Sequence, residues 1–441
     1  MNKILPMALL VGAASLSFST FASQGPHGLI DHQQVVKDIN FLASDELKGR
    51  ANFSPEITKA AAYIGERFSA AGLVPLAGQS SFEQHFNLYN IRVTKQSLVI
   101  NGDALSEKNI AIATAHETLD WQDVAALNVV KLGADDDFRA AISEINAKGG
   151  NTLVLAHPSH QKMFSRYQGF FARGLNKFAA NEGDSLVIAL SEEQKLASIS
   201  FNAQASIKQQ KLANVVGVLP GKSKEAVLFS AHYDHLGVDE KAQGDKIYNG
   251  ADDDASGTTA VMNLAKYYAQ RGDNKRTLIF SAFTAEEIGG YGSKYFSTHI
   301  DADSIAAMVN IEMIGKPSKF GAGTFWMTGF ERSNLGLLMN ESLGSINQQV
   351  HPDPYPKQRL FYRSDNATLA RLGVPAHSFS STQLDKDKHY HQHSDDVASL
   401  DLDSMTKVIN AIAIGSQGLV DGTQTPTRVD TSKVKSNGKI Y

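Results

Sequence analysis

Apolar positions follow two different rhythms along this chain. Near its start they recur at helical spacing. Val35, Val36, Ile39 and Leu42 predict a helix over 31–43. Ala60, Ala61, Ile64 and Phe68 predict a second, capped by Ser54, opened by Pro55 and ended by Gly72. Residues 81–100 alternate as strands do. After residue 207, short and mainly apolar runs take over, at 215–219, 226–231, 277–283 and 305–311. A helical stripe of Val261, Leu264, Ala265 and Tyr268 lies among them, over 256–270. Strands buried on both faces and alternating with helices predict an α/β fold. Its expected form is a three-layer mixed, largely parallel sheet flanked by helices.

Residues 92–206 have another texture. Strand candidates at 126–132 and 152–157 flank a helix candidate at 137–147, ended by Gly149-Gly150. This stretch is expected to be an inserted smaller domain, α/β or β-rich, interrupting a main domain of 23–91 and 207–421. Residues 422–441 are polar and aperiodic, which predicts a flexible tail.

The first 22 residues predict a signal peptide. Lys3 supplies the positive start, 4–18 the apolar run, and Thr20-Phe21-Ala22 the cleavage site. The run is shorter than the roughly 18 residues a membrane span needs. The expectation is an exported protein, periplasmic or extracellular, with no stable membrane anchor after cleavage.

Composition narrows the chemistry. The 441 residues suffice for two compact domains, and 42% apolar with 20% charged residues is ordinary for a globular protein. A net charge of −4 without a Lys/Arg block argues against nucleic acid as a partner. There is no cysteine, which excludes disulfides and thiolate ligands. Any metal must be held by His, Asp and Glu.

Such residues cluster in the second half: His232 with Asp234, Asp252-Asp253-Asp254, Glu286-Glu287, Glu312, and a loop with His389, His391 and His393. Several directly follow predicted buried strands. Burying an unpaired charge is expensive, so a pair of divalent cations is the expected partner. The carboxyl ends of parallel strands share one edge, where the clusters can converge. A carboxylate from the Asp triplet can bridge two metals. Of Glu286 and Glu287, one binds metal and the other takes a proton from metal-activated water. Asp234, two residues beyond His232, can accept from the imidazole and fix its tautomer. Spacing does not choose among the three loop histidines.

These motifs resemble Peptidase family M28, zinc metallopeptidases that are mostly co-catalytic aminopeptidases. The matching stretches are Ala231-His-Tyr-Asp-His-Leu-Gly237, Asn249-Gly-Ala-Asp-Asp-Asp-Ala-Ser-Gly257, Thr284-Ala-Glu-Glu-Ile-Gly289, Asn310-Ile-Glu-Met-Ile-Gly315 and Tyr390-His-Gln-His-Ser-Asp395. Leu42-Ala-Ser-Asp-Glu-Leu-Lys-Gly-Arg50 is similar to the family's N-terminal signature, and the insertion to a protease-associated domain. The resemblance implies two zinc ions, with cobalt or manganese as possible substitutes. It assigns His232 and Glu312 to one ion, Glu287 and His391 to the other, and Asp253 to both, with a cis peptide between Asp253 and Asp254. Many relatives carry Asp where Glu312 stands. Glu286 is implied as general base and then acid, Asp234 as the group orienting His232, and Tyr390 as a partner of the oxyanion. Peptides with a free N-terminus are the implied substrates, with a pocket expected from 324–330 and 355–363. Alternatives within the resemblance are a carboxypeptidase, for which Arg359 or Arg363 could read a substrate carboxylate, and a single-zinc glutaminyl cyclase, which two full ligand sets disfavour. A non-catalytic receptor-like relative should have lost Glu286 or several ligands, and none is missing.

Overall fold

The computed structural model describes residues 30–192 and 195–441. The signal peptide expected over 1–22 lies outside them. Strands β1 (Glu83–Ile100), β2 (Ile199–Leu219), β3 (Ser223–His232), β4 (Arg276–Phe283), β5 (Ile305–Ile311), β6 (Phe325–Met327), β7 (Val350–Pro352) and β8 (Ala376–Ser380) join one sheet in the order β7-β6-β8-β5-β3-β4-β2-β1. Its centre, β4-β3-β5-β8, is parallel. Antiparallel pairings flank it, β2 against β4 and β6 against β8.

The principal helices are α1 (His32–Leu42), α2 (Pro55–Ala70), α3 (Gly257–Arg271), α4 (Tyr291–Ser297), α5 (Asn366–Ala370) and α6 (Leu402–Gly415). Side chains cap the first two, and the second has the Ser54 cap that its sequence predicts. Asp31 accepts from Gln33 N at 3.0 Å, and Ser54 Oγ from Ile57 N at 3.3 Å. The sheet's side chains alternate between two cores. Val227, Phe229 and Ala231 of β3 pack with residues of α1, α2, α3 and α6, while Ala226 and Leu228 pack with Phe296 and Leu369 of α4 and α5. Each fully buried large apolar side chain contributes roughly 1.5–3 kcal/mol. The result is the three-layer α/β architecture, a mixed sheet with helices on both faces.

A second, four-stranded sheet orders Ile110–Ala113, Leu186–Leu190, Thr152–Ala156 and Asn128–Leu132, with helices Phe138–Lys148 and Gln161–Phe171 packed on it. β1 and β2 form an antiparallel ribbon between Glu83 and Ile100, with one register shift at Gln204–Ala205, reaching from the main sheet to this smaller unit. The boundaries expected at 92 and 206 therefore fall inside unbroken strands.

The C-terminal segment corrects the expectation of a flexible tail. Ile440 is fully buried in the small unit's core, and the Tyr441 ring meets Phe171 at 5.1 Å. Asn146 anchors it by accepting from the amides of Ile440 and Tyr441 at 2.9 and 3.0 Å. Two anchoring apolar residues outweigh a polar composition, because order depends on where a few side chains are buried. Among the described residues, no helix is long and apolar enough to cross a membrane.

Candidate metal centre

The clusters meet at the carboxyl edge of the parallel strands. β3 ends at His232, the loop after β4 carries Glu286 and Glu287, Glu312 follows β5, and the loop after β8 brings His391. The Asp triplet precedes α3, and the peptide bond joining Asp253 and Asp254 is cis. Gly257 allows this loop to press against β5, since a Cβ there would collide with the Ile311 carbonyl oxygen. Ala285, Met313 and His391 all have positive φ, at 60°, 53° and 56°. Non-glycine residues in that region cost about 1–3 kcal/mol each, and these three lie within or beside site motifs.

Asp253 is the hub. One carboxylate oxygen lies 3.2 Å from His232 Nε2 and the other 3.1 Å from His391 Nε2. Glu312 Oε1 is 3.4 Å from His232 Nε2, and Glu287 Oε2 is 3.3 Å from His391 Nε2. The structure thus brings all five expected ligands into two groups that share one carboxylate. His389 bonds within its own loop, to the Ser394 carbonyl at 2.8 Å, and His393 stacks on Tyr248 at 4.1 Å, so His391 alone of the three faces the centre.

The electrostatics fit a cation site. Burial opposes ionisation of Asp253, yet its contacts with His232 and His391 hold the carboxyl well below the usual range. Burial also opposes protonation of His232, but Glu312, Asp234 and Asp253 outweigh it and hold the imidazole above its usual pKa. Contacts with Asp253 and Glu287 raise His391 to about 10. The donor set therefore attracts positive charge strongly, and its all-nitrogen and oxygen chemistry suits zinc.

His235 is a member that sequence reasoning missed. Its ring is fully buried, with Nδ1 2.7 Å from Glu287 Oε1 at an angle unsuited to a hydrogen bond. Among the described residues, neither ring nitrogen has a hydrogen-bond partner, nor does that Glu287 oxygen. His235, Asp253 and Glu287 together offer donor atoms within 4.8 Å of one another, as do His232, Asp253 and Glu312. Unpartnered buried donors of this kind are what a cation would satisfy. The signal was present in His232-Tyr-Asp-His235, where the second His belongs to the same motif.

Asp234 takes a different part from the one expected. His232 Nδ1 lies 3.0 Å from the Asp234 carbonyl oxygen, while the Asp234 carboxylate is 3.7 Å from that nitrogen. The carboxylate instead accepts from Glu286 N at 3.1 Å, Glu287 N at 3.2 Å and Asn52 Nδ2 at 2.7 Å. It orients the imidazole through its main chain and the two glutamates through its side chain. Asp254 is structural, accepting from Met313 N and Gly257 N at 3.1 and 3.0 Å. Asp395 likewise accepts from Asp253 N at 3.1 Å.

Glu286 makes no side-chain hydrogen bond among the described residues. Burial pushes its pKa well above the usual carboxylate range, with Glu312, Asp365 and Glu287 adding to the effect and His232 opposing it. Tyr390 stacks on His391 at 4.0 Å, and its hydroxyl is 3.3 Å from Arg363 Nη2. Beside Glu312 lies a cavity of about 60 Å³, lined by Met313, Trp326, Thr328, Leu360, Leu384 and Tyr390 among others. Arg363 also borders it, whereas Arg359 lines a separate recess.

Arg50 explains the N-terminal motif. Its guanidinium is fully buried and donates to the carbonyls of Leu42 and Asn249 at 2.6 Å and of Tyr233 and Gly250 at 2.9 Å. It ties the first helix to both loops that carry His232 and the Asp triplet. Arg50→Met should leave these buried carbonyls unpaired and lower unfolding stability by at least about 3 kcal/mol. Urea denaturation followed by circular dichroism measures this, and a loss under 1 kcal/mol would refute the role.

The Peptidase family M28 profile matches residues 214–414. These residues are a Peptidase family M28 domain. A probable leucine aminopeptidase of Arthroderma otae is 28% identical over 235 residues, covering 50% of this chain and 62% of that protein. A vacuolar membrane protease of Schizosaccharomyces pombe is 26% identical over 205 residues, 46% of this chain and 22% of its own length. The chain thus spans less than two thirds of these relatives. An aminopeptidase from Aneurinibacillus sp. superimposes with a TM-score of 0.53 at 18% identity, over 92% of this chain and 96% of that one. A zinc aminopeptidase from Bacillus subtilis gives the same score at 15% identity, over 92% and 99%. The domain therefore has the zinc-aminopeptidase fold.

Proposed function

We propose that this protein is an exported metallo-aminopeptidase that holds two zinc ions and releases N-terminal residues from peptides. The observation that supports this best is Asp253, whose two oxygens each approach a different histidine at 3.1–3.2 Å. His232 and Glu312 would hold one ion, His391 and Glu287 the other, with His235 behind Glu287. When bound, the ions would polarise the substrate carbonyl and lower the pKa of a water molecule toward about 7. Glu286 is free of side-chain partners and has a raised pKa, which suits a group that takes the proton from that water. The same carboxyl then delivers the proton to the leaving amine. Asp234 sets the position of both glutamates through their amides. The Tyr390 hydroxyl, with Arg363 beside it, would meet the developing negative charge on the carbonyl oxygen.

The surrounding carboxylates would attract a free substrate α-amine, and the apolar cavity beside Glu312 would take the first side chain. Its size and its Met, Trp and Leu lining favour a medium aliphatic residue, as in the name of the leucine aminopeptidase relatives. A panel of leucyl, alanyl, lysyl and glutamyl chromogenic amides, with and without chelator, tests this reading. The leucyl amide should be cleaved fastest, and chelation should abolish cleavage. Hydrolysis of N-acetylated peptides from their free C-terminus would instead establish a carboxypeptidase.

A further inference from the structure

Away from the metal centre, the small unit, the peptidase domain and the C-terminal segment border an open cavity of about 610 Å³. Four cationic side chains line it: Lys177 from the small unit, Lys294 from α4, Arg371 after α5, and Lys435 from the C-terminal segment. Among the described residues no Asp or Glu side chain does so. A neighbouring recess of about 780 Å³ shares Lys435 and adds Arg139 and Arg359 against a single acid, Asp137.

Few donors of these groups are used within the fold. Lys177 Nζ donates once, to the Ile440 carbonyl at 2.6 Å, and Arg371 Nε once, to the Lys435 carbonyl at 3.0 Å. No ion pair forms at Lys177, Lys294, Arg371 or Lys435 among the described residues. Lys294 lies 4.9 Å over the Tyr291 ring and has no carboxylate within ion-pair distance. Burial lowers its pKa, and the charges of Arg371 and Lys177 lower it further, with Asp365 partly offsetting them. Burial lowers Lys177 and Arg371 too. Gathering several half-buried like charges around one cavity, with no carboxylate paired to them among the described residues, is unfavourable. An arginine fork with adjacent lysines is the donor set that oxyanions select.

We propose that this cavity binds a small multivalent oxyanion of the sulfate or phosphate type. The occupant would join all three segments that form the walls. It would also brace the loop that carries Glu286 and Glu287, because α4 begins four residues after Glu287. Gly290 N donates to the Glu286 carbonyl at 3.0 Å, and the Tyr291 hydroxyl to the Asn176 carbonyl at 2.9 Å. The inference rests on the cavity alone and stands apart from the peptidase reading.

Calorimetric titration of the full chain with sodium sulfate, against sodium chloride at matched ionic strength, tests it. Sulfate is a poor zinc ligand, so the metal centre interferes little. The expected result is saturable binding of one sulfate per chain. In K294Q/R371Q, binding should weaken at least about tenfold, with hydrolysis in the absence of sulfate unchanged. A non-saturable response equal to that of chloride overturns the proposal, as does undiminished binding in the variant. If circular dichroism shows the double variant unfolded, Lys435→Gln decides, since that side chain is exposed. It should weaken binding about threefold, and unchanged affinity overturns the site.

Discussion

Glu286→Gln should retain metal and lose at least about 10²-fold in kcat, the range that removal of a general base implies. The substitution keeps the side chain's length and nearly its shape. The backbone at 286 is held by the Asp234 carboxylate, which does not sense the change. No hydrogen bond of the Glu286 side chain is lost, because none is made to other residues described. What disappears is the ability to take a proton and return it. In the proposed reading the substrate's first residue binds in the cavity beside Glu312, so KM should change far less than kcat. Elemental analysis alongside leucyl-amide kinetics separates these outcomes. Near-normal turnover with metal in place would remove Glu286 from the mechanism.

Asp253→Asn should lower metal content from two ions per chain to one or fewer. Among the described residues Asp253 is the single carboxylate facing both His232 and His391, so its loss weakens both positions together. An amide offers one neutral oxygen where the carboxylate offers two anionic ones. The loss in affinity should exceed the about 10–100-fold that removal of a group behind a ligand costs. Because bound metal stabilises the folded state by mass action, added zinc should raise the melting temperature of the native chain more than that of the variant. Full occupancy by two ions in the variant would refute the bridging role. Glu286→Gln and Asp253→Asn thus separate proton transfer from metal retention.

The sequence carried much of this site and missed some of it for identifiable reasons. Helices at 31–43 and 256–270 were legible because their apolar stripes are local, and they appear as His32–Leu42 and Gly257–Arg271. The strand at 215–219 was legible only in part. It is the end of a 21-residue strand whose earlier half alternates and faces solvent on one side. His391 could be chosen over its neighbours only by resemblance, since chain spacing does not say which way a loop residue turns. A positive φ at His391 and the stacking of Tyr390 decide that in space.

Order along the chain by itself determined that His232, the Asp triplet, the two glutamates and Glu312 lie at one edge. Buried strands alternating with helices run parallel, and parallel strands place their carboxyl ends together. Only the tertiary structure decided what each group touches there. Asp234 sits two residues from His232, yet its carboxylate is taken by amides 52 and 53 residues further on. Arg50 reaches carbonyls up to 200 residues away, His235 closes on Glu287, and Ile440 fills the core of a unit built from residues 110–190. Periodicity encodes which face of an element is buried. It does not encode the partner across the gap, which depends on distances set only when the layers pack.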